Sequence, residues 1–405
     1  MRRQTICRHF MMKAMYTPEQ IKHMAGEVFE WAVAARRALH RIPEPGFHEE
    51  KTKAFIKQKL TELGLEYEAP EGGWISCYIP GTRPGKVTAL RADFDALPIQ
   101  EPVGCGFESL HPGYMHACGH DMHTAMLLAC GKLLKNAPEG FAGGALLMFE
   151  PAEETEGGAK PMADSGMLER YKVDRVYGAH VMPRLVVGQI ESRPGTLNAS
   201  TDTISVTVRG ASAHGAYPET GKDAILCAAQ IVSALQSVVA RNVSPLESAV
   251  ITIGKISGGK ASNIICDSVQ MEGTLRAADR KLRNMLVSRV REICEYTGRA
   301  MGCEAECSIS EGYAALVNDA GHAKRVLVVA AKLFGADAAL VKDAPSMGAE
   351  DFSYFLDHAP GAFFHVGCSP DKEHIGAPLH SERFLPNEQA MLYGISMEAA
   401  LIMED

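Results

Sequence analysis

A block reading strand-helix-strand-strand-helix-strand interrupts a chain otherwise built of apolar strands alternating with helices, and few folds accommodate that interruption. Outside the block, residues 87–90, 145–149, 173–178 and 362–366 are short apolar runs of buried-strand type, and helical stretches such as 124–134 separate most of them. This alternation predicts an α/β fold, a mainly parallel sheet with helices on both faces. Ligand sites in such sheets form beyond the carboxyl ends of the strands. Inside the block, 201–209, 249–256, 269–276 and 303–309 read as strands, with helices at 223–241 and 281–301. That order is the ferredoxin-like pattern, a complete small α+β domain. The expected organisation is one domain over 1–199 and 312–405, with the second inserted at 200–311, since strand-helix alternation resumes near Val326.

The first long helix is marked by Thr17-Pro18-Glu19-Gln20, a capping box with proline at the first helical position. Ile21, Met24, Val28, Trp31, Ala35 and Leu39 then form a helical stripe, and Pro43 and Pro45 end it. A second helix is expected over 49–63, stopped by Gly64. The residues ahead of the first helix are basic, lack the apolar core of a secretory signal, and read as a short disordered extension.

With 41 basic against 49 acidic residues the chain has no basic excess, so nucleic acid is not an expected partner. No apolar run is expected to reach the ~20 residues that span a bilayer. Eleven cysteines, an odd number without repeated spacing, point to reduced thiols and a cytoplasmic setting.

Potential metal ligands stand where the predicted strands end. Residues 115–123 (MHACGHDMH) place Cys118 and His120 in a Cys-x-His spacing. The strand ALLMF leads into EPAEETEGG, with Glu153 and Glu154; RVYGA leads into His180; and GAFFHV is followed by a loop carrying His380. Thiolate, imidazole and carboxylate together suit zinc, manganese or cobalt better than calcium or magnesium. Of two adjacent glutamates, one can bind metal while the other takes a proton from water, whose pKa a metal lowers from about 15.7 to about 7. Taken singly each feature has an ordinary explanation: core filler for Cys-x-His, a solvated face for Glu-Glu, a satisfied core histidine for His180. His116 and His123 read as neighbours of the ligands.

The ordered set LHRIPEPGFHEEKT, RADFDALPIQE, MHACGHD, FEPAEETEGGAK, GAH, ASAHGAYPETGKDAI, NIICDSVQMEGTLR, SMGAEDFSYF and LHSERF resembles the aminoacylase/hippuricase-type amidohydrolases, which include the plant auxin-conjugate hydrolases. The likeness runs from about His40 to Arg383. It implies two divalent metal ions held by Cys118, His120, Glu154, His180 and His380, with Glu153 as general base and Cys118 as the bridging ligand. It further implies that Asp93 orients a ligand, that His214 steadies the tetrahedral intermediate, and that Asn263 and Arg276 grip the substrate carboxylate. The inserted domain would be a lid through which two copies dimerise, and the flanking domain the catalytic one. The implied reaction is hydrolysis of small N-acyl amino acids. Cys266 departs from the pattern, standing where the family carries proline in an N-x-I-P-D turn.

Three rivals remain on the sequence. One is a dipeptidase or aminobenzoyl-glutamate-type hydrolase using the same site. Another is a metal-dependent binding protein, against which all five ligands and Glu153 are present. The last is a thiol enzyme with Cys118 as nucleophile, which would keep its activity under a chelator.

Overall fold

Thr17 Oγ1 accepts the Gln20 backbone N–H at 3.3 Å while Gln20 Oε1 accepts the Thr17 N–H at 2.8 Å, so the capping box closes helix α1, Pro18–His40. The computed structural model describes residues 16–404 apart from 72 and 103; the basic extension expected ahead of α1 lies outside them. Helix α1 buries Ile21, Ala25, Val28, Ala32 and Leu39 against helix α3, His120–Lys135. Trp31 stays at the rim, with the Lys132 ammonium 4.8 Å from its ring centre. Between them in chain order comes α2, Glu50–Glu62, beyond which Gly64 adopts φ +64°. Glu49 does not cap α2 with its side chain; its Oε1 accepts the Ala152 N–H at 3.0 Å instead. Burial pushes the Glu49 carboxyl up to about 7.

The contacts divide the chain into two units. The first comprises residues up to 193, 319–341 and those from 355 on; the second comprises Pro194–Asn318 and Lys342–Tyr354.

The first unit is built on a seven-stranded mixed sheet. Strand β1, Ile75–Pro80, forms one edge, antiparallel to β3, Ala142–Glu150. Next come β2, Arg83–Asp93, then β4, Arg175–Val186, then the strand Gly361–Ser369, all parallel to β3. Strand β5, Ile190–Ser192, runs antiparallel to Gly361–Ser369 and parallel to the edge strand Ala339–Val341. Of the four central parallel strands, β3 and Gly361–Ser369 are buried nearly throughout, β4 over most of its length and β2 over its second half, as strands covered on both faces must be. Helix α3 is buried except at Lys132 and Lys135.

The second unit carries a four-stranded antiparallel sheet in the order Glu304–Glu311, Ser200–Arg209, Ser268–Ala277, Ala249–Gly258. Helices Ala224–Asn242 and Arg280–Ala300 pack on it, capped by the Asp223 and Asp279 carboxylates. Chain order and strand order together are ferredoxin-like. Asp202 receives two hydrogen bonds from Arg283, at 2.8 and 2.6 Å, which ties sheet to helix. At Cys266 the turn holds without proline: its Sγ donates to the Ser268 carbonyl at 3.0 Å and its own carbonyl accepts the Ala224 N–H. One expectation needs correcting. Helix Ala224–Asn242 is long and apolar enough to cross a membrane, with mean hydropathy 1.5 over 18 residues. Its Cys227, Ile231, Leu235 and Val238 are buried in this unit's core, and a third of that stretch is buried in all.

Within the first core, helix Ala390–Met403 carries the buried Glu398, whose Oε2 has no hydrogen-bond partner among the described residues. Burial holds this carboxyl well above the usual range. A raised carboxyl pKa favours folding while the group is protonated in both states, and stability then falls as pH rises above the unfolded value near 4.3, by about 1.4 kcal/mol per unit until the folded pKa is reached. Glu398→Gln should therefore flatten the decline of urea-unfolding stability between pH 5 and 8; an unchanged slope would show that Glu398 is charged in the fold.

Candidate metal centre

Gly119, at φ +90°, immediately precedes α3 as its N-cap, and a Cβ there would lie 2.5 Å from Val181 Cγ2. Glycine thus lets the first turn of α3 press against β4. The result places Cys118 Sγ 3.3 Å from His180 Nε2, two residues that 62 positions separate in sequence. His180 directs its other nitrogen, Nδ1, at the Val181 carbonyl 2.6 Å away, which fixes the tautomer and leaves Nε2 as the electron-pair donor.

His120 is the first residue of α3 and is fully buried. Its Nδ1 lies 2.9 Å from Asp95 Oδ1, so Nε2 faces inward, 3.9 Å from Glu154 Oε1. The other carboxylate oxygen of Asp95 accepts the Glu154 backbone N–H at 3.0 Å. One aspartate therefore aims both a histidine and a glutamate. Glu153 and Glu154 follow the end of β3 through Ala152, which is held at φ +59°. Donor atoms of His120, Glu153 and Glu154 lie within 4.8 Å of one another, as do those of Cys118, His120 and His180. A further such set is Cys118, Glu154 and His380, with His380 Nε2 3.0 Å from Glu154 Oε1. His380 stands half-exposed on its loop at φ +62°, with its N–H bonded to the Ala117 carbonyl.

One of these atoms, His120 Nε2, is buried without a hydrogen-bond partner among the described residues, and the buried Glu154 Oε1 faces it at 3.9 Å beside His380 Nε2. An orphaned buried nitrogen is costly, and a cation between it and the Glu154 carboxylate would satisfy both groups. Sulfur, imidazole and carboxylate around them fit a divalent transition ion. Without one, burial and the Glu154 charge push the Cys118 thiol well above its ordinary value, and burial with His123 nearby keeps His180 neutral.

Two aspartates meet the histidines of α3. Asp93 ends β2 and binds Arg91 Nη1 at 2.6 Å and His123 Nδ1 at 2.6 Å, whereas the carboxylate on His120 Nδ1 is Asp95. Both aspartates lie in RADFDAL two residues apart on one extended segment, so alternation puts them on the same side and cannot tell which meets which histidine. Asp121 also has a role that its motif does not announce. Its Oδ2 accepts Arg36 Nε at 2.7 Å and lies 2.8 Å from His40 Nδ1, while His40 Nε2 lies 2.8 Å from Glu101 Oε1. This buried clamp locks α1 onto the turn that carries His120.

His214, Asn263 and Arg276 all belong to the second unit. His214 pairs with Ile264 in a two-stranded ribbon, and the Asn263 carbonyl accepts the Gly215 N–H at 2.7 Å, so the two are neighbours on one exposed face. Arg276 is half-buried in the sheet opposite Thr201, near Asp202.

Residues 89–404 match the family model described as peptidase family M20/M25/M40. The chain belongs to that family. It is 39% identical over 362 residues to an N-acetyl-L-cysteine deacetylase of Bacillus subtilis, covering 89% of this chain and 84% of the relative. It is 36% identical over 379 residues to the Arabidopsis thaliana IAA-amino acid hydrolase ILR1-like 4, covering 93% and 86%. The crystal structure of the Bacillus subtilis YXEP protein, a dinuclear metal binding peptidase from the M20 family, superposes with a TM-score of 0.81 at 30% identity, over 94% of this chain and 98% of that one. The resemblance read from the motifs is thereby established, and this M20 member is a hydrolase of amides.

The clamp makes a pH prediction. Burial opposes charge on His40, but the Asp121 and Glu101 carboxylates outweigh it and raise the imidazole to about 9. A raised histidine contributes fully below its unfolded value near 6.5 and loses that contribution as pH rises through 9, roughly 3 kcal/mol in all. Urea unfolding at pH 6 and pH 10 should show this loss in the wild type and not in His40→Gln.

Proposed function

We propose that this M20 enzyme hydrolyses N-acyl amino acids, such as N-acetyl or N-benzoyl conjugates, to a carboxylic acid and a free amino acid. The observation that carries the reading is the gathering of Cys118, His120, Glu154, His180 and His380 into ligand-spaced sets around the buried, unpaired His120 Nε2. Deacetylation by the Bacillus subtilis relative and hydrolysis by the Arabidopsis relative, as their names state, support the substrate class.

The five side chains would hold two divalent ions, of zinc, manganese or cobalt. Bound there, such ions polarise a carbonyl and lower the pKa of water. The chain's own residues do the rest. Glu153, beside His120 and Glu154, accepts the proton of the attacking water and delivers it to the leaving amine nitrogen. Asp95 keeps His120 and Glu154 aimed inward. The second unit acts as a lid: His214 donates to the oxyanion, and Asn263 and Arg276 bind the substrate carboxylate. Two copies pair through their lids, where Val250 and Ile256 on an edge strand and Ile225 and Leu226 on a helix are exposed apolar groups. The cytoplasm suits the ten described cysteines, all free thiols.

The 3.3 Å approach of Cys118 to His180 also brings a thiol hydrolase to mind. Such an enzyme needs a thiolate beside an imidazolium, and here the thiol is shifted up and the imidazole down, both against that state. A chelator decides: a thiol hydrolase keeps its activity, and the metal enzyme loses it and regains it with added zinc or manganese.

Glu153→Gln should cut turnover on N-acetyl and N-benzoyl amino acids by about two to four orders of magnitude while metal content stays near that of the wild type. Loss of metal from Glu153→Gln but not from Glu154→Gln would reverse the two roles. For the lid, mixing inactive His214→Ala with inactive Glu153→Gln under conditions of subunit exchange should restore activity. Exchange verified by mass labelling without restoration would mean that each copy uses its own His214.

A further inference from the structure

His123 sits one turn past His120 on α3, its ring 5.5 Å from that of His120 and 4.6 Å from that of His180. By residue type and place it belongs among the donors, and with Asp93 and His120 it even forms a set of ligand-spaced atoms. Its two nitrogens are nevertheless both engaged. Nδ1 lies 2.6 Å from Asp93 Oδ1, and Nε2 accepts the Val181 N–H at 2.9 Å. An N–H donor pointing at Nε2 means that no proton is carried there. The proton must then be on Nδ1, given to the Asp93 carboxylate. That carboxylate is itself fixed by Arg91, whose Nε in turn binds Glu150 at 2.6 Å. His123 thus has no lone pair to offer a metal.

What it does hold is Val181. The N–H of Val181 is taken by His123 and the C=O by His180 Nδ1, so the two histidines grip one residue of β4 from its two polar groups. The His123 ring also meets the His180 ring edge-on, at 64°, closing off rotation of the latter. We propose that His123 is a positioning residue of the metal centre, fixing the backbone acceptor that sets the tautomer and aim of His180 without binding metal itself. This rests on the metal centre proposed above.

The two contacts can be separated by substitution. Glutamine can place an acceptor near the Nε2 position and keep the Val181 N–H occupied; asparagine can place a donor near Nδ1 and keep only Asp93. Zinc alone, titrated into metal-free protein against a chromophoric chelator, gives the affinities at the two positions. His123→Asn should weaken one of the two zinc positions by about ten- to hundredfold, the usual effect of losing such a partner, and His123→Gln should recover most of it. Equal zinc affinities in wild type, His123→Asn and His123→Gln, with only thermal stability lowered, would reduce His123 to packing and overturn the inference. Long-range proton–nitrogen spectra of the histidine-labelled wild type supply an arm that needs no variant. The His180 Nε2 resonance should move when zinc is added, whereas His123 should show the Nδ1–H tautomer before and after. A zinc-induced shift of His123 Nε2 like that of His180 would make it a ligand and overturn the inference while leaving the metal centre in place. Wild type that takes up no zinc, manganese or cobalt would overturn both.

Discussion

The approach of α3 to β4 at Gly119 is the contact on which the site depends. A backbone that close tolerates no side chain, and the left-handed turn it requires is cheap only for glycine. Everything polar follows from it. Cys118 is carried to His180, His120 is presented to Glu154, and His123 comes within reach of the Val181 amide. Behind the turn, Asp121 fastens it to Arg36 and His40, so that α1 acts as a buttress for a helix start that bears donors on both sides of its first turn.

Charge in this region is dense and buried, and it persists because it is matched. Arg91 stands between Asp93 and Glu150, and Arg36 and His40 share Asp121. Burial alone would neutralise Asp93, but His120, Arg91 and His123 hold its carboxyl well below the usual range. Isolated charges at such depth would shift until neutral. His120 Nε2, left unmatched among the described residues, lies on the side where the donors converge. Precision there is bought with strain: Ala152 and His380, neither a glycine, take left-handed backbone at or next to donor residues.

Local chemistry was legible in the sequence and long-range partnership was not. The Thr17–Gln20 box and the stop at Gly64 depend on residues a few positions apart, and they form as the sequence predicts. Strand-helix alternation located β2, β3 and β4, though it underestimated their lengths, because the polar residues that extend β2 outward carry no apolar pattern. Which carboxylate serves which imidazole was beyond reach. Asp93 and Asp95 are equivalent by periodicity, and only the tertiary placement of α3 distinguishes them. Glu49 illustrates the same limit: it looks like a helix N-terminus and spends its carboxylate on the Ala152 amide, 103 residues away. Hydropathy failed in the other direction for Ala224–Asn242, whose apolar content reflects a helix packed into its own small core while some apolar side chains remain exposed.

The strand order has a consequence for how the chain is made. Gly361–Ser369 lies between β4 and β5, so one of the central strands of the large sheet is also the last of its strands to be synthesised. Until it leaves the ribosome, β4 has a long apolar edge with unsatisfied amides and carbonyls, a template for pairing with other chains. Residues 194–318 of the other unit form an almost continuous stretch and have emerged well before then. The nascent protein therefore passes through a stage with one unit nearly complete and the other open along its middle. His380, which follows that late strand, reaches the remaining donors only after the gap has closed.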